Sequence, residues 1–462
     1  MSAQVDTESW TARELRQALS ASPEVKGWIV TEEVLTRRER YFLAGAEVDQ
    51  DREARAHSIQ ARIFVRLSDP KRQGEISKKF FPALPLGPQV TSAVAGAKLS
   101  STESWELPTE LPKSVPVVRS ADPGIAEDVD RAMESMTKEV RDAVSELRHQ
   151  GVSGAEARFG SGELFVSLHE RELTLSNGLS HRSLQTRVYA EAAYVSKHGE
   201  RGDEYLKTAW SVGREGISIP ELFRECRDAS LGMLKVRAPV AGRYSVIVDT
   251  EVLSLLFSGI VSQLTAQNAY HKLPFVEVGG AIVPEAGPGA DRITLRIDPS
   301  LDLGADAVAL SSAGVVQRPL TLIEQGRVVA TASDPQYAAY TSRPVSTTRG
   351  DVVVSAGTRT HDELTREADQ VLEILQFSAL FADANTGTFS SEIRLAKLYD
   401  RKTGEVEFIK GGSLSGSITE NFRGLRLSSE TCRYATFSSD SPVGRGYHGP
   451  KYALLTDVTV SS

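Results

Sequence analysis

The residue types that most often hold a catalytic metal are spread along this chain without a ligand motif. The sequence has eight histidines and two cysteines. No histidines occur as HxxxH, HExxH or HExxxH, the helical patterns that supply zinc ligands together with a glutamate base. The nearest approach is His169-Glu170 with His181, in a segment whose pattern predicts strand and turn. We therefore interpret these histidines as surface residues of a sheet.

Three other patterns suggest chemistry, and for each we favour a structural explanation. Gly444-Arg-Gly446-Tyr-His-Gly449 spells GxGxxG, but that fingerprint binds a dinucleotide only where a strand passes into a helix, and here a final strand follows. Cys226 lies on the apolar face of a predicted helix with no histidine beside it in sequence, which favours a buried structural thiol. Cys432 alone cannot hold zinc, because zinc sites need three or four ligands.

The composition restricts the class of protein. The chain has 462 residues, 40% hydrophobic and 25% charged, which is typical of a globular protein of two or three domains. No apolar run approaches the ~20 residues of a membrane span, and the first residues do not resemble a signal peptide. The presence of only two cysteines is consistent with a protein of the reducing cytoplasm. A net charge of −8 disfavours broad contact with nucleic-acid phosphates. We expect a cytoplasmic protein that binds neither membrane nor nucleic acid.

Residues 1–240 predict an α/β domain with a sheet and flanking helices. Asn177-Gly178 between two apolar runs favours a tight hairpin. Ser218 and Glu221 have the spacing of a capping box before another helix. The remaining expectations are a helix over 11–19, strands at 28–30, 41–43 and 61–67, irregular structure over 70–122, and an amphipathic helix over 123–150 that ends at Gly151.

Residues 241–462 predict a second, β-rich domain. Short apolar runs separated by glycines favour a barrel-like or sandwiched antiparallel sheet. One helix interrupts them in this interpretation: Thr360 and Glu363 form a capping box, and an apolar stripe continues to Leu375. The two halves together give an α+β fold.

The segment 243–264 predicts a short buried strand, a cap at Asp249 and an amphipathic helix that contains Leu255-Leu256-Phe257-Ser258 and Ser262. With Arg318-Pro-Leu-Thr-Leu-Ile-Glu-Gln-Gly326, Phe381-Ala-Asp-Ala-Asn-Thr-Gly-Thr-Phe-Ser390 and the final strand, it resembles the TldD/PmbA family. The resemblance covers most of residues 125–462. Two departures are Thr388, where the family's Thr-Gly-Asp-Phe-Ser signature has Asp, and the poorly matched N-terminal region.

The resemblance implies that the helix after Asp249 lacks a zinc-binding motif. Active members of the family are zinc metallopeptidases that carry HExxxH directly after the leucine pair. Phe257 and Ser262 stand at the two histidine positions here, and Ser258 stands at the glutamate position. Phenylalanine has no lone pair for zinc, and serine is neither a good neutral ligand nor a general base. The chain is similar to the silent, TldE-like type, with no catalytic or metal residues of its own.

The resemblance also implies a partner. A TldD-like catalytic subunit would hold the zinc in a heterodimer that degrades unfolded peptides or processes leader segments of ribosomally made peptide natural products. The silent subunit would wall the chamber, with Thr386, Gly387, Phe389 and Ser390 as candidate chamber or interface residues. Two alternatives stay open: a stand-alone hydrolase or peptide-modifying enzyme with an unrecognised site, and a peptide-binding scaffold.

Overall fold

The structure, a computed structural model, describes residues 10–148, 155–437 and 444–462. No helix among these residues is long and apolar enough to cross a membrane. The elements of the first half are α1 Ala12–Ala21, β1 Val25–Leu43, β2 Glu47–Arg66, β3 Arg72–Phe80, α2 Leu86–Leu99, β4 Ser101–Glu103, α3 Pro123–Glu127, α4 Val129–Leu147, β5 Glu156–Leu175, β6 Ser180–His198, β7 Arg201–Ser211, α5 Ile219–Gly232 and β8 Val236–Arg237.

The second half alternates short strands with short helices. Its elements are β9 Gly242–Asp249, α6 Thr250–Ser262, α7 Ala266–His271, β10 Leu295–Asp298, β11 Leu320–Glu324, β12 Arg327–Val328, α8 Pro335–Thr341, β13 Asp351–Val354, α9 His361–Leu364, β14 Gln370–Phe377, β15 Phe381–Asp383, β16 Thr388–Asp400, β17 Val406–Ile409, β18 Ser413–Ser417, α10 Ile418–Asn421, β19 Arg426–Leu427, β20 Thr431–Phe437, β21 Gly444–Pro450 and β22 Tyr452–Ser461.

Two large sheets organise these elements. The larger sheet has thirteen described strands in the order β12-β11-β10-β13-β21-β20-β7-β6-β5-β1-β2-β3-β4. In the smaller sheet β14 pairs with both β9 and β16, so β14, β9, β22, β18 and β16 close into a barrel. The predicted α+β class is confirmed, including the barrel. The division at residue 240 stays a prediction, and strands from both of its sides share the larger sheet.

The larger sheet is covered on one face by amphipathic helices. Met133, Met136 and Val140 of α4 pack on Leu164 and Val166 of β5. This stripe was predicted, but the helix over 123–150 is two helices, because Asp128 is extended (φ −156°) and caps α4 by accepting the Arg131 N–H. Gly151 lies outside the described residues.

Several local expectations need correction. The segment 70–122 was expected to be irregular, but it contains β3, α2 and β4. The candidates 28–30 and 41–43 are two parts of β1, whose charged middle lies between neighbouring strands. The Ser218 side chain makes no capping hydrogen bond, although α5 starts beside it as expected. The hairpin at Asn177-Gly178 is confirmed, with Gly178 at φ +94°.

The predicted helix over 361–375 is wrong beyond its first turn. The capping box of Thr360 and Glu363 forms, but α9 ends at Leu364. Val371 and Leu372 then lie in β14, which pairs with β9 and β16 in the barrel. Their spacing satisfies a helix and a buried strand equally, and the barrel pairing decides between them.

Candidate functional site

The degenerate motif on α6 (residues 257–262) and the signature segment on β15 and β16 (residues 381–390) meet at one pocket. Ser258 and Ser262 form one wall of the pocket, and Gly387 and Thr388 form the opposite wall. The cavity has a volume of about 120 Å³. Gln263 fixes the separation of the two elements, because its side-chain amide donates to the Ala384 carbonyl at 2.8 Å. The structure therefore brings together two of the segments on which the family resemblance depends.

The orientation of α6 separates the three motif positions. The Asp249 carboxylate caps the helix by accepting the N–H groups of Glu251 and Val252. Ser258 and Ser262 are four residues apart and share the pocket face, whereas Phe257 and Ser262 are about 140° apart around the axis. Phe257 accordingly points into the core, where it is fully buried.

Aromatic packing holds Phe257 in that position. Its ring stacks on Tyr447 with centroids 6.0 Å apart and planes 17° apart. The Phe422 ring lies at the same centroid distance on a tilted plane. Such pairs add stability beyond the burial of apolar area. Position 257 is therefore part of the core and does not reach the pocket.

The pocket serines are engaged with their own helix. The Ser258 hydroxyl donates to the Ser254 carbonyl at 2.6 Å, and the Ser262 hydroxyl donates to the Ser258 carbonyl at 3.2 Å. Each hydroxyl thereby directs its proton along the helix and leaves only lone pairs toward the pocket. With no described histidine or carboxylate bonded to them, the two serines have no base to activate them as nucleophiles.

The turn between β15 and β16 presents polar groups to solvent. The Asp383 carboxylate accepts the Asn385 N–H and the Thr386 hydroxyl, and these bonds hold the pKa of Asp383 below its usual range. Gly387 has φ +69°, which favours glycine in this turn. Thr386 and Ser390 are exposed, whereas Phe389 is 3% exposed and packs in the core. The chamber or interface roles of these residues remain proposals.

The donor set of this pocket does not fit zinc. The groups around it are the hydroxyls of Ser258, Ser262 and Thr388, the capped Asp383 carboxylate, and Arg445. Arg445 makes no ion pair with any described residue, so its charge would repel a metal cation.

The other candidate ligands lie elsewhere. The Cys432 thiol contacts the Thr250 hydroxyl at 2.9 Å, and Thr250 is about 18 Å of helix rise from Ser262. Burial raises the pKa of the Cys432 thiol. His169 and Glu170 are consecutive residues of β5 and point to opposite faces of the sheet. Within residues 10–148, 155–437 and 444–462, no three His, Cys, Asp or Glu side chains cluster as metal ligands would.

A second polar cluster, in the barrel, is structural. The His361 ring bonds the Glu373 carboxylate at 2.9 Å, and the Tyr399 hydroxyl donates to the same carboxylate at 2.6 Å. The bond to Glu373 raises the pKa of His361. Burial would raise the pKa of Glu373, but the bonds from His361 and Tyr399 outweigh it and lower that pKa. The cluster joins α9 to β14 and β16.

Two sets of residues at the cavities are not indicated by the sequence pattern. Arg445 belongs to the GxGxxG pattern, and nothing local indicates that β21 brings it to the α6 pocket. Charged residues of β5 and β6 line a larger cavity on the sheet. Their alternation with apolar residues was visible in the sequence, but only the tertiary structure shows that both faces of those strands are covered.

Comparison with known proteins supplies the family. Residues 241–462 match the model of the PmbA/TldA metallopeptidase C-terminal domain. No curated protein matches the chain.

Solved structures show the same fold over nearly the whole chain. TldE from Thermococcus kodakarensis is 15% identical with a TM-score of 0.75, covering 97% of this chain and 98% of that one. A putative modulator of DNA gyrase from Bacteroides thetaiotaomicron is 15% identical with a TM-score of 0.74, covering 97% and 98%. A putative modulator of a DNA gyrase from Thermotoga maritima is 13% identical with a TM-score of 0.74, covering 98% of this chain and 100% of that one. Residues 241–462 therefore belong to the TldD/PmbA family as its C-terminal domain, and the fold of the whole chain agrees with that of the solved structures.

Proposed function

We propose that this chain is the non-catalytic, TldE-like subunit of a cytoplasmic TldD/TldE-type heterodimeric zinc metallopeptidase. The observation that carries the proposal is the pocket face of α6. It presents Ser258 at the position of the glutamate base and Ser262 at the position of one histidine ligand, beside Arg445, whereas Phe257, at the other ligand position, is buried in the core. Such a set of groups does not hold a metal-bound water, and its one carboxylate, Asp383, accepts hydrogen bonds within its own turn. The zinc and the catalytic step are assigned to a TldD-like partner.

The role of this chain is then to wall a peptide chamber and stabilise its partner. The fold similarity to TldE of Thermococcus kodakarensis supports this assignment. The substrate class that follows from the family is an unfolded peptide or the leader segment of a ribosomally made peptide natural product.

The exposed rim of the signature segment is the proposed contact with the partner. Thr386 and Ser390 face solvent, and Phe381, paired with Ser390 across β15 and β16, is 71% exposed. A large aromatic side chain exposed beside polar residues is typical of a protein–protein contact. Phe389 of the same segment is not part of this rim, because its ring is buried in the core.

Co-purification tests the proposal. The chain is expressed with an HExxxH-bearing TldD-like chain of the same organism, and the mixture is run on gel filtration at micromolar concentration. We expect one complex that cleaves an unfolded peptide, with activity lost to a chelator and absent from this chain alone. Obligate interfaces of this kind bury ~2,000 Å² or more and survive the column. Failure to co-elute, or chelator-sensitive cleavage by this chain alone, would contradict the proposal.

A matched pair of variants locates the contact. Phe381→Asp places a charge in the proposed interface and should abolish co-elution, because an unpaired buried charge is strongly unfavourable. Val406→Asp makes an equivalent change at an exposed residue of β17 and should leave the complex intact. If the two variants co-elute with the partner to the same extent, the rim is not part of the interface.

A further inference from the structure

A second cavity lies on the larger sheet, away from α6. Its volume is about 970 Å³, and it is an open cleft bounded by the sheet, the extended segment 115–121 and the loop 307–310. The floor is formed by β1, β5 and β6 on the face opposite to α4 and α5. Its extent is large for a single ion but suits an extended chain segment.

Strand register brings polar residues together on this floor. Arg171 of β5 pairs with Glu33 of β1 and with Ser183 of β6. His169, two residues earlier, pairs with Gln185 of β6. Directly paired residues, and residues two apart on one strand, share a face of the sheet. These side chains therefore form one continuous polar surface inside the cavity.

The charge of the lining is positive. Six of its residues are lysine or arginine and two are glutamate. Arg349 is neutralised by Asp306, and Arg119 is neutralised by Asp302. Lys79 is exposed at the end of the cavity and makes no ion pair with any described residue. The field inside the cavity thus favours an anion.

Arg171 has unused hydrogen-bonding capacity. Its closest ionic contact runs from Nε to the Glu33 carboxylate at 3.4 Å, which is long for a charged pair. Its guanidinium donates no hydrogen bond to the rest of the described protein, and Nε is buried. The side chain is 29% exposed. A guanidinium carries five donors, so a bidentate carboxylate would satisfy donors that the protein leaves open.

The two histidines of the cavity respond to this field. Burial, followed by the charges of Arg187 and Arg37, lowers the pKa of His169 to about 3. Burial and Arg171 lower the pKa of His181. Both rings are neutral at physiological pH and are available as hydrogen-bond partners without adding charge.

We propose that this cavity binds a carboxylate-bearing segment of a peptide, with Arg171 as the principal donor and Lys79 at one end. His181 of β6 and Lys79 of β3 are related through β5, β1 and β2, four strand spacings or about 19 Å. This distance corresponds to five or six extended residues, which favours a peptide over a small anion. The peptide identity of the ligand rests on the proposed function, whereas the site belongs to this chain alone.

Fluorescence anisotropy on the purified chain tests the site. The probes are two labelled seven-residue peptides, one with glutamate at alternate positions and one with glutamine at those positions. We expect the acidic peptide to bind at least tenfold more tightly, with affinity that falls as salt rises. Arg171→Gln should weaken binding by about tenfold, and Lys79→Gln should weaken it by about threefold. Arg158→Gln, at an exposed arginine of the same strand outside the cavity, should change nothing.

Each result decides the proposal. Equal binding of the two peptides would overturn it, as would unchanged binding by folded Arg171→Gln. If circular dichroism shows that Arg171→Gln does not fold, Lys79→Gln decides, because that residue is exposed. Binding of inorganic phosphate by a chain that ignores the acidic peptide would overturn the assignment to a peptide. If the wild-type chain does not bind the acidic peptide but still co-elutes with the catalytic partner, this site is overturned and the proposed function stands.

Discussion

Placing a histidine at position 257, the first ligand position of the degenerate motif, should destabilise the protein and create no metal site. In Phe257→His the imidazole replaces a fully buried ring that stacks on Tyr447 and contacts Phe422. The new side chain is smaller and polar, and it points away from Ser258 and Ser262. We expect a large loss of stability and no gain in zinc affinity.

The magnitude follows from two contributions. Truncation of a buried phenylalanine to alanine costs about 3–5 kcal/mol, and histidine refills only part of that volume. An imidazole N–H left without a partner in the core adds about 1–3 kcal/mol. Since the histidine ring recovers some contacts, we expect a net destabilisation of about 3–5 kcal/mol. Only the upper end of that range is exceptional for one substitution.

Urea denaturation followed by circular dichroism measures the loss, and zinc titration calorimetry measures any metal binding. Ser262→His is the matched control, because its side chain lies at the partly exposed pocket surface. It should cost less than about 1 kcal/mol. A Phe257→His protein as stable as wild type, with one zinc bound, would refute the orientation of α6 described above.

Three further predictions concern charge, metal and the core. Hydrogen bonding to Glu373 raises the pKa of His361 in the folded protein above its unfolded value of about 6.5. The protonated ring therefore stabilises the fold fully below that pH, and this contribution to stability disappears as pH rises through the folded pKa. Melting temperatures between pH 5.5 and 8.5 should show this fall in wild type and not in His361→Gln. Elemental analysis of the purified chain should find no stoichiometric zinc; one zinc per chain would argue for an unrecognised ligand set. Asp351 is fully buried and accepts the N–H groups of Ala305 and Asp306 and a bond from the His448 ring. Asp351→Asn should therefore cost about 2–4 kcal/mol in urea titration, and a loss under 1 kcal/mol would contradict this accounting.

Local signals in the sequence predicted the elements whose reasons for forming are themselves local. The apolar stripe of α4, the Asp249 cap of α6 and the Asn177-Gly178 hairpin depend on neighbouring residues, and all three are present. The helix predicted after Leu364 was wrong because the structure there depends on residues distant in sequence. Their spacing permits a helix, but β14 gains hydrogen bonds from β9 and β16, which are distant in sequence. Long-range pairing outweighs helix propensity in that case.

The same division applies to the functional sites. The residue types of the chain determined that α6 carries no histidine or glutamate at its motif positions, and that the C-terminal half resembles the TldD/PmbA family. Only the tertiary structure decided that Phe257 is core while Ser258 and Ser262 face the pocket, because the direction of a helix face depends on what packs against it. The cavity at Arg171 also depends on the register of strands far apart in sequence. A single sequence does not specify that register, since a shift by one residue would turn every side chain to the other face.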